Sequence, residues 1–116
     1  MTVKRIVPNL SMSEPEKSKA FFQDVLSLDL AMDMGWIATF QSDLLSKQQL
    51  SLATEGGSDT PLPHLSIEVD NFEEVYQKAV NGNYEVTYGP VDEPWGIRRF
   101  FVVGPSGYLL NISKHI

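Results

Sequence analysis

The chain reads as an α+β protein built from two β-α-β-β-β modules, and three observations predict it. A strand-like run, a helix-start signal and an amphipathic helix follow one another over residues 6–28 and again over 64–86. Each helix is followed by three further strand-like runs bounded by turn residues. The two series are offset by about 57 residues at their first strand and about 60 at their last, as an internal repeat requires.

In chain order, Ile6–Leu10 is the first strand. Ser13-Glu14-Pro15-Glu16 reads as a capping box, with Ser13 accepting from a first-turn amide, Glu16 reaching back and Pro15 placed where a missing amide costs little. Phe22, Val25 and Leu26 recur at helical spacing, with Phe21 beside them. Leu28–Met32, Trp36–Gln41 and Gln48–Ala53 complete the first module, with Asp33-Met34-Gly35 as a turn. In the second module, strand His64–Val69 leads into Asp70-Asn71-Phe72-Glu73, a second capping signal. Phe72, Val75, Tyr76, Ala79 and Val80 form one apolar stripe, which Asn81-Gly82 ends, with Gly82 suited to a left-handed cap. Tyr84–Val91, Arg98–Val103 and Tyr108–Ser113 follow, the last two joined by Gly104-Pro105-Ser106-Gly107. The Gly-, Ser-, Pro- and acid-rich stretch Thr54–Pro63 separates the halves, so residues 1–116 make one domain of modules 1–54 and 64–116 with a linker at 55–63. A helix this short must lie on one face of its own four-stranded sheet. The other face is where function is to be sought.

Composition narrows the classes. A chain of 116 residues suits one domain with a sizeable core. Having no cysteine excludes disulfides, thiolate zinc and a cysteine nucleophile. The 42% hydrophobic and 21% charged fractions are those of a globular protein. No apolar run approaches the roughly 20 residues of a membrane span. Lys4 and Arg5 lead into a strand rather than an h-region, so the expected location is the cytoplasm. Fifteen acids against nine bases, a net charge of −6, argue against nucleic acid as a partner. That excess suits a cationic ligand, or simply solubility.

Three stretches carry a resemblance that spans essentially the whole chain: Leu10-Ser11-Met12-Ser13-Glu14 through Ala20-Phe21-Phe22 to Val25-Leu26-Ser27-Leu28; His64-Leu65-Ser66-Ile67-Glu68-Val69-Asp70; and Pro94-Trp95-Gly96, Arg98-Arg99-Phe100-Phe101, Gly104-Pro105-Ser106-Gly107 and Leu110-Asn111-Ile112. In this order they resemble the vicinal oxygen chelate superfamily, the glyoxalase, bleomycin-resistance and extradiol-dioxygenase group. The last stretch departs from that family's pattern in having Gly104 where a turn-forming Asp is usual. The resemblance implies paired modules whose curved sheets line a cleft, and a homodimer. It also implies, for the family's metal enzymes, ligands at the positions of Val7 and Ser51 in the first module and His64 and Asn111 in the second. Only His64 is a good ligand; Val7 cannot bind metal, and Ser51 and Asn111 are poor replacements for carboxylates. Catalytic zinc takes about three protein ligands. Glu68 is roughly 13 Å along the strand from His64, too far to share one ion. The expectation is therefore no metal and no other cofactor.

The candidate ligand-binding residues are His64, Asn111, Ser51, Trp95, Arg98 and Trp36. His64 can act as a general base or ligand partner, or simply bond to a neighbour. Asn111 and Ser51 alternate with Leu110, Ile112, Leu50 and Leu52, which serve the helix-side core, so both must bond to water, to each other or to a ligand. Gln49 and Asn9 share those faces. Of Arg98 and Arg99, one faces inward and can clamp a carboxylate or phosphate; the competing role is a structural pair with Glu85, Asp92 or Glu93. Trp36 shares the side of Ala38 and Phe40, suiting core or dimer packing, or a ligand stack. Trp95, in the acidic loop Asp92-Glu93-Pro94-Trp95-Gly96, suits stacking on a planar or cationic ligand, or a lid. His115 reads as merely exposed and Gly56-Gly57 as a flexible linker.

The resulting expectation is a metal-independent protein of the bleomycin-resistance type that binds a small molecule, cationic or aromatic, without transforming it. The alternatives are a glyoxalase-like lyase or isomerase using His64 with a divalent ion, and a non-catalytic module whose cleft its own side chains fill.

Overall fold

The computed structural model of the chain describes residues 3–42 and 48–116. It is a mixed α+β fold whose described elements run β1 (Val3–Ser11), α1 (Pro15–Ala20), β2 (Asp29–Asp33), β3 (Ile37–Gln41), β4 (Gln49–Ala53), β5 (Leu65–Val69), α2 (Phe72–Asn81), β6 (Val86–Asp92), β7 (Ile97–Val103) and β8 (Leu109–His115). The chain divides into two compact units: Val7–Leu62, and the start of the chain through Ile6 together with Pro63–Ile116. Residues 55–62, read from sequence as a linker, thus group with the first unit, and the start of β1 groups with the second. Among the described residues, no helix is long and apolar enough to cross a membrane.

Strand order is β2-β3-β4-β1 in the first unit and β5-β8-β7-β6 in the second. In each unit the first strand runs parallel to the last and the other neighbours are antiparallel. The registers coincide as well. Asn9, Ser51 and Thr39 form one cross-strand row, and Ser66, Asn111 and Phe101 form its counterpart.

Alternation divides each sheet into a helix face and a far face. On the helix face of the first unit, Met12, Ala38, Phe40 and Leu52 are buried, with Phe22 and Leu28 packed against them. On that of the second, Val69, Phe100 and Ile112 are buried with Phe72 of α2, and Val75, Tyr76 and Ala79 of that helix pack against them. Phe100 lies edge-on to both Phe72 and Tyr76, at 5.5 and 5.2 Å between centroids.

Local chemistry departs from the sequence reading at both helices. Helix α1 starts one residue later than the capping box implies: Glu14 is the N-cap and makes no side-chain cap, so Ser13 is too far upstream to reach the first-turn amides. The helix winds on as a π-helical segment, Phe21–Val25, whose wider turn breaks the 3.6-residue period. Phe22 alone of the expected stripe packs on Phe40, leaving Phe21, Val25 and Leu26 exposed. At the end of α2, Val80 is exposed, and Asn83 rather than Gly82 takes the left-handed cap, at φ 60°. Tyr84 N–H bonds to Ala79 O and Asn83 N–H to Val80 O, both at 3.0 Å, forming a Schellman motif.

The stretch around Gly56 is a hydrogen-bonded loop rather than a flexible linker. Gly56 N–H donates to Thr60 O at 2.9 Å, and the Thr60 hydroxyl donates to Gly57 O at 2.7 Å. Gly56, Gly57 and Thr60 are all buried. A Cβ at Gly56 would lie 2.2 Å from the Pro61 carbonyl oxygen, so only glycine fits without backbone movement.

Gly56→Ala is therefore expected to destabilise the protein by about 1–3 kcal/mol through this overpacking, read as a lower urea midpoint at unchanged slope. Phe100→Ala, which empties the centre of the second core, is expected to cost about 3–5 kcal/mol in the same measurement.

Candidate functional site

The far face of the second unit carries the densest chemistry. Ser66, Asn111 and Phe101 occupy one row, and Glu68, Ser113 and Arg99 the next. Asn111 is 6% exposed. Its Nδ2 donates to the Ser66 hydroxyl at 3.1 Å, while its Oδ1 is buried with no hydrogen-bond partner among the described residues. Such an acceptor is costly when unmet, on the order of 1–3 kcal/mol.

Arg99, not Arg98, shares this face. Its Nε and Nη2 both lie 2.6 Å from Glu93 Oε2, and both side chains are only 3% exposed. Its guanidinium sits 5.4, 5.0 and 4.8 Å from the ring centroids of Tyr88, Trp95 and Phe101. The Tyr88 hydroxyl donates to the same Glu93 oxygen at 3.0 Å. Tyr88 and Glu93 are an odd number of residues apart, so simple alternation would put them on opposite faces. A register shift in β6 between Tyr88 and Val91 brings them together. Gly89 permits this: it holds φ +74°, and a Cβ there would lie 2.5 Å from the Arg99 carbonyl oxygen.

The six candidates read from sequence are distributed unevenly. Arg98 lies toward α2, paired with Asp92 at 2.9 Å and Glu73 at 3.3 Å and stacked over Phe72. Trp95 is half-buried against Arg99, in a three-residue hairpin loop closed by Glu93 N–H to Ile97 O. His64 is exposed and precedes β5. It brackets Leu109: its own N–H donates to Leu109 O at 2.8 Å, and its Nδ1 accepts from Leu109 N–H at 3.0 Å. A neutral ring bonded this way carries its proton on Nε2 and offers a donor, not a base. In the first unit, Ser51 is 3% exposed and its hydroxyl bonds to that of Thr39 at 2.8 Å. In the next row of that far face, Gln49 Nε2 donates to Gln41 Oε1 at 3.0 Å. Trp36 is half-buried just before β3, on the parity of Ala38 and Phe40 rather than that of Ser51's partner Thr39.

Sequence reasoning passed over Ser66, Thr39, Tyr88 and Phe101. Alternation alone was enough to find Ser66 and Thr39, which stand two residues from His64 and next to Ala38. Tyr88 gave no signal, because it depends on the bulge. His115, read as merely exposed, bonds through Nδ1 to Glu68 Oε2 at 3.0 Å, and Arg5 and Lys4 reach the same carboxylate at 3.1 and 3.5 Å. Burial pushes the Glu68 carboxyl up, but the His115 hydrogen bond and the charges of Arg5, His115 and Lys4 outweigh it, leaving its pKa below the ordinary 4.5.

These residues do not fit a divalent metal. In the first unit, Val7 has no donor atom and Ser51 Oγ is engaged by Thr39. In the second, His64 Nδ1 is taken by a backbone amide, and Glu68 and Glu93 are held by cations. Among the described residues, no group of three His, Asp or Glu side chains could hold an ion.

The sequence profile of the Glyoxalase/Bleomycin resistance protein/Dioxygenase superfamily matches residues 4–112. No curated protein matches. Among solved structures, a Legionella pneumophila protein described as NAD-dependent benzaldehyde dehydrogenase is similar at TM-score 0.75 and 19% identity, over 97% of this chain and 100% of that one. A glyoxalase/bleomycin resistance protein/dioxygenase superfamily member from Vibrio splendidus 12B01 gives 0.69 and 22%, over 99% and 100%. Methylmalonyl-CoA epimerase from Mycobacterium tuberculosis gives 0.69 and 11%, over 98% and 89%. At these identities the likeness is one of fold.

The stability contributed by ionised Glu68 is present above its unfolded carboxylate range and is lost as pH falls below 4.5 through the lower folded value. Glu68→Gln is accordingly expected to flatten the acid limb of a urea-midpoint profile while leaving the alkaline limb in place. Breaking the other pair by Arg99→Ala or Glu93→Gln is expected to cost about 3–5 kcal/mol each, and the double variant less than their sum, as a double-mutant cycle in urea would show.

Proposed function

The chain belongs to the Glyoxalase/Bleomycin resistance protein/Dioxygenase superfamily, and on that premise we propose that it is a metal-independent small-molecule-binding protein of the bleomycin-resistance type. It acts as a cytoplasmic homodimer and holds a drug or metabolite without transforming it. The observation that carries the reading is Asn111, buried at a position where the family's metal enzymes place a ligand, with its amide oxygen unmatched. A carboxylate there would hold an ion; a neutral amide recognises an organic group by hydrogen bonding instead. His64 supports the same reading, because its Nδ1 is occupied by Leu109 N–H and it lacks a free basic nitrogen in the neutral form. The half-buried aromatic side chains on that face, Tyr88 and Trp95, suit a planar ligand. The exposed Phe21, Val25 and Leu26 are apolar surface that a second copy can cover.

The test is thermal unfolding with a panel of aromatic drugs and metabolites, bleomycin included, with and without a chelator. At least one compound is expected to raise Tm and quench tryptophan fluorescence, unaffected by chelation. A ligand at a hundred times its Kd adds about 2.7 kcal/mol. If the whole panel leaves Tm unchanged at millimolar concentration, or if binding requires Ni²⁺, Zn²⁺ or Mn²⁺, the proposal falls.

A further inference from the structure

The chain's acidity suggests a cationic ligand, but the charges on the far face of the second unit say otherwise. Two of its carboxylates, Glu68 and Glu93, are buried and committed: Glu93 to Arg99 and the Tyr88 hydroxyl, Glu68 to Arg5, Lys4 and His115. Two anions thus face three permanent cations before either histidine is counted. Of the remaining acids of this unit, Asp92 and Glu73 pair with Arg98, and Glu74 pairs with Lys78 of α2. The aromatic rings that would attract a cation, those of Trp95, Tyr88 and the buried Phe101, already have the Arg99 guanidinium within 5.4 Å of each centroid.

Against this stands one unmet group of opposite polarity. Asn111 Oδ1 is an acceptor, buried on a residue only 6% exposed, and the amide's other end is spent on Ser66. An acceptor so placed is completed by a donor. We infer that the ligand of this face is an uncharged or acidic small molecule that presents an O–H or N–H donor to Asn111 Oδ1, and that cations are disfavoured. The inference rests on the binding reading above and specifies the ligand's chemistry.

Three matched probes separate donor from charge: benzyl alcohol, a neutral donor; benzyl methyl ether, the same ring without the donor; and benzylammonium, a donor with positive charge. Binding is followed by the shift of the Asn111 side-chain NH₂ resonances in a ¹⁵N–¹H spectrum, titrated to millimolar concentration. Benzyl alcohol is expected to bind about fivefold more tightly than the ether, the factor one ordinary hydrogen bond supplies, and benzylammonium more weakly than the alcohol. Asn111→Leu removes the unmet acceptor and is expected to equalise alcohol and ether, followed through the Ser66 and Phe101 backbone amides. Ser66→Ala, which keeps Oδ1, is expected to retain the preference if the leucine variant fails to fold. Equal binding of alcohol and ether to the natural protein, or tightest binding by benzylammonium, overturns the inference and leaves the binding reading standing. Silence from all three probes overturns the inference, and the drug panel then judges the binding reading separately.

Discussion

The constraint on which this structure depends is the alternation of side chains across a short strand when a helix covers only one side. In both units the helix face is filled by aromatic and aliphatic side chains, Phe40 and Leu52 in one and Phe100 and Ile112 in the other. The residues between them are forced to the far face by the pleat. Many of these are polar, and a polar group out of water needs a partner. Almost everything distinctive about the molecule is the set of partners those groups find.

The two units meet that demand differently. The first satisfies itself with neutral pairs, Thr39 with Ser51 and Gln41 with Gln49, on adjacent antiparallel strands. The second uses charge. Arg99 and Glu93 are both nearly sealed from solvent, and a buried pair of this kind stands only if its geometry is good and its remaining groups are satisfied. The Tyr88 hydroxyl and three aromatic faces provide that shell. At Asn111 the satisfaction stops one hydrogen bond short. Thr39, Ser51, Gln41, Gln49, Arg99 and Glu93 are paired on their far faces, whereas this acceptor is not.

Much of the site was legible in the chain because it follows from parity. Ser51 and Asn111 are named by the leucines and isoleucine beside them, and the loss of ligand chemistry at Val7 is visible in its side chain alone. Parity could not resolve Arg98 from Arg99, since adjacent residues exchange faces with a one-residue change in register. Nor could it place Tyr88 with Glu93, whose meeting depends on an extra residue looped out of β6 beside Gly89. The helix stripe Phe22, Val25, Leu26 misled for a related reason: a period read at 3.6 residues does not survive a π-helical turn.

By itself the sequence determined the repeat of two β-α-β-β-β modules, the family they resemble, the identity of most far-face residues and the poverty of metal ligands. These rest on short-range periodicity and on side-chain chemistry, which a linear chain carries in full. Only the tertiary structure decided which arginine is buried, that Gly56 packs a tight loop, that His115 closes on Glu68, and that Asn111 keeps an unmet oxygen. Those are pairings between residues as many as 47 positions apart, settled by register, bulges and desolvation. The net charge of −6 is a property of the chain, whereas the excess of cations around Glu68 and Arg99 is a property of the fold.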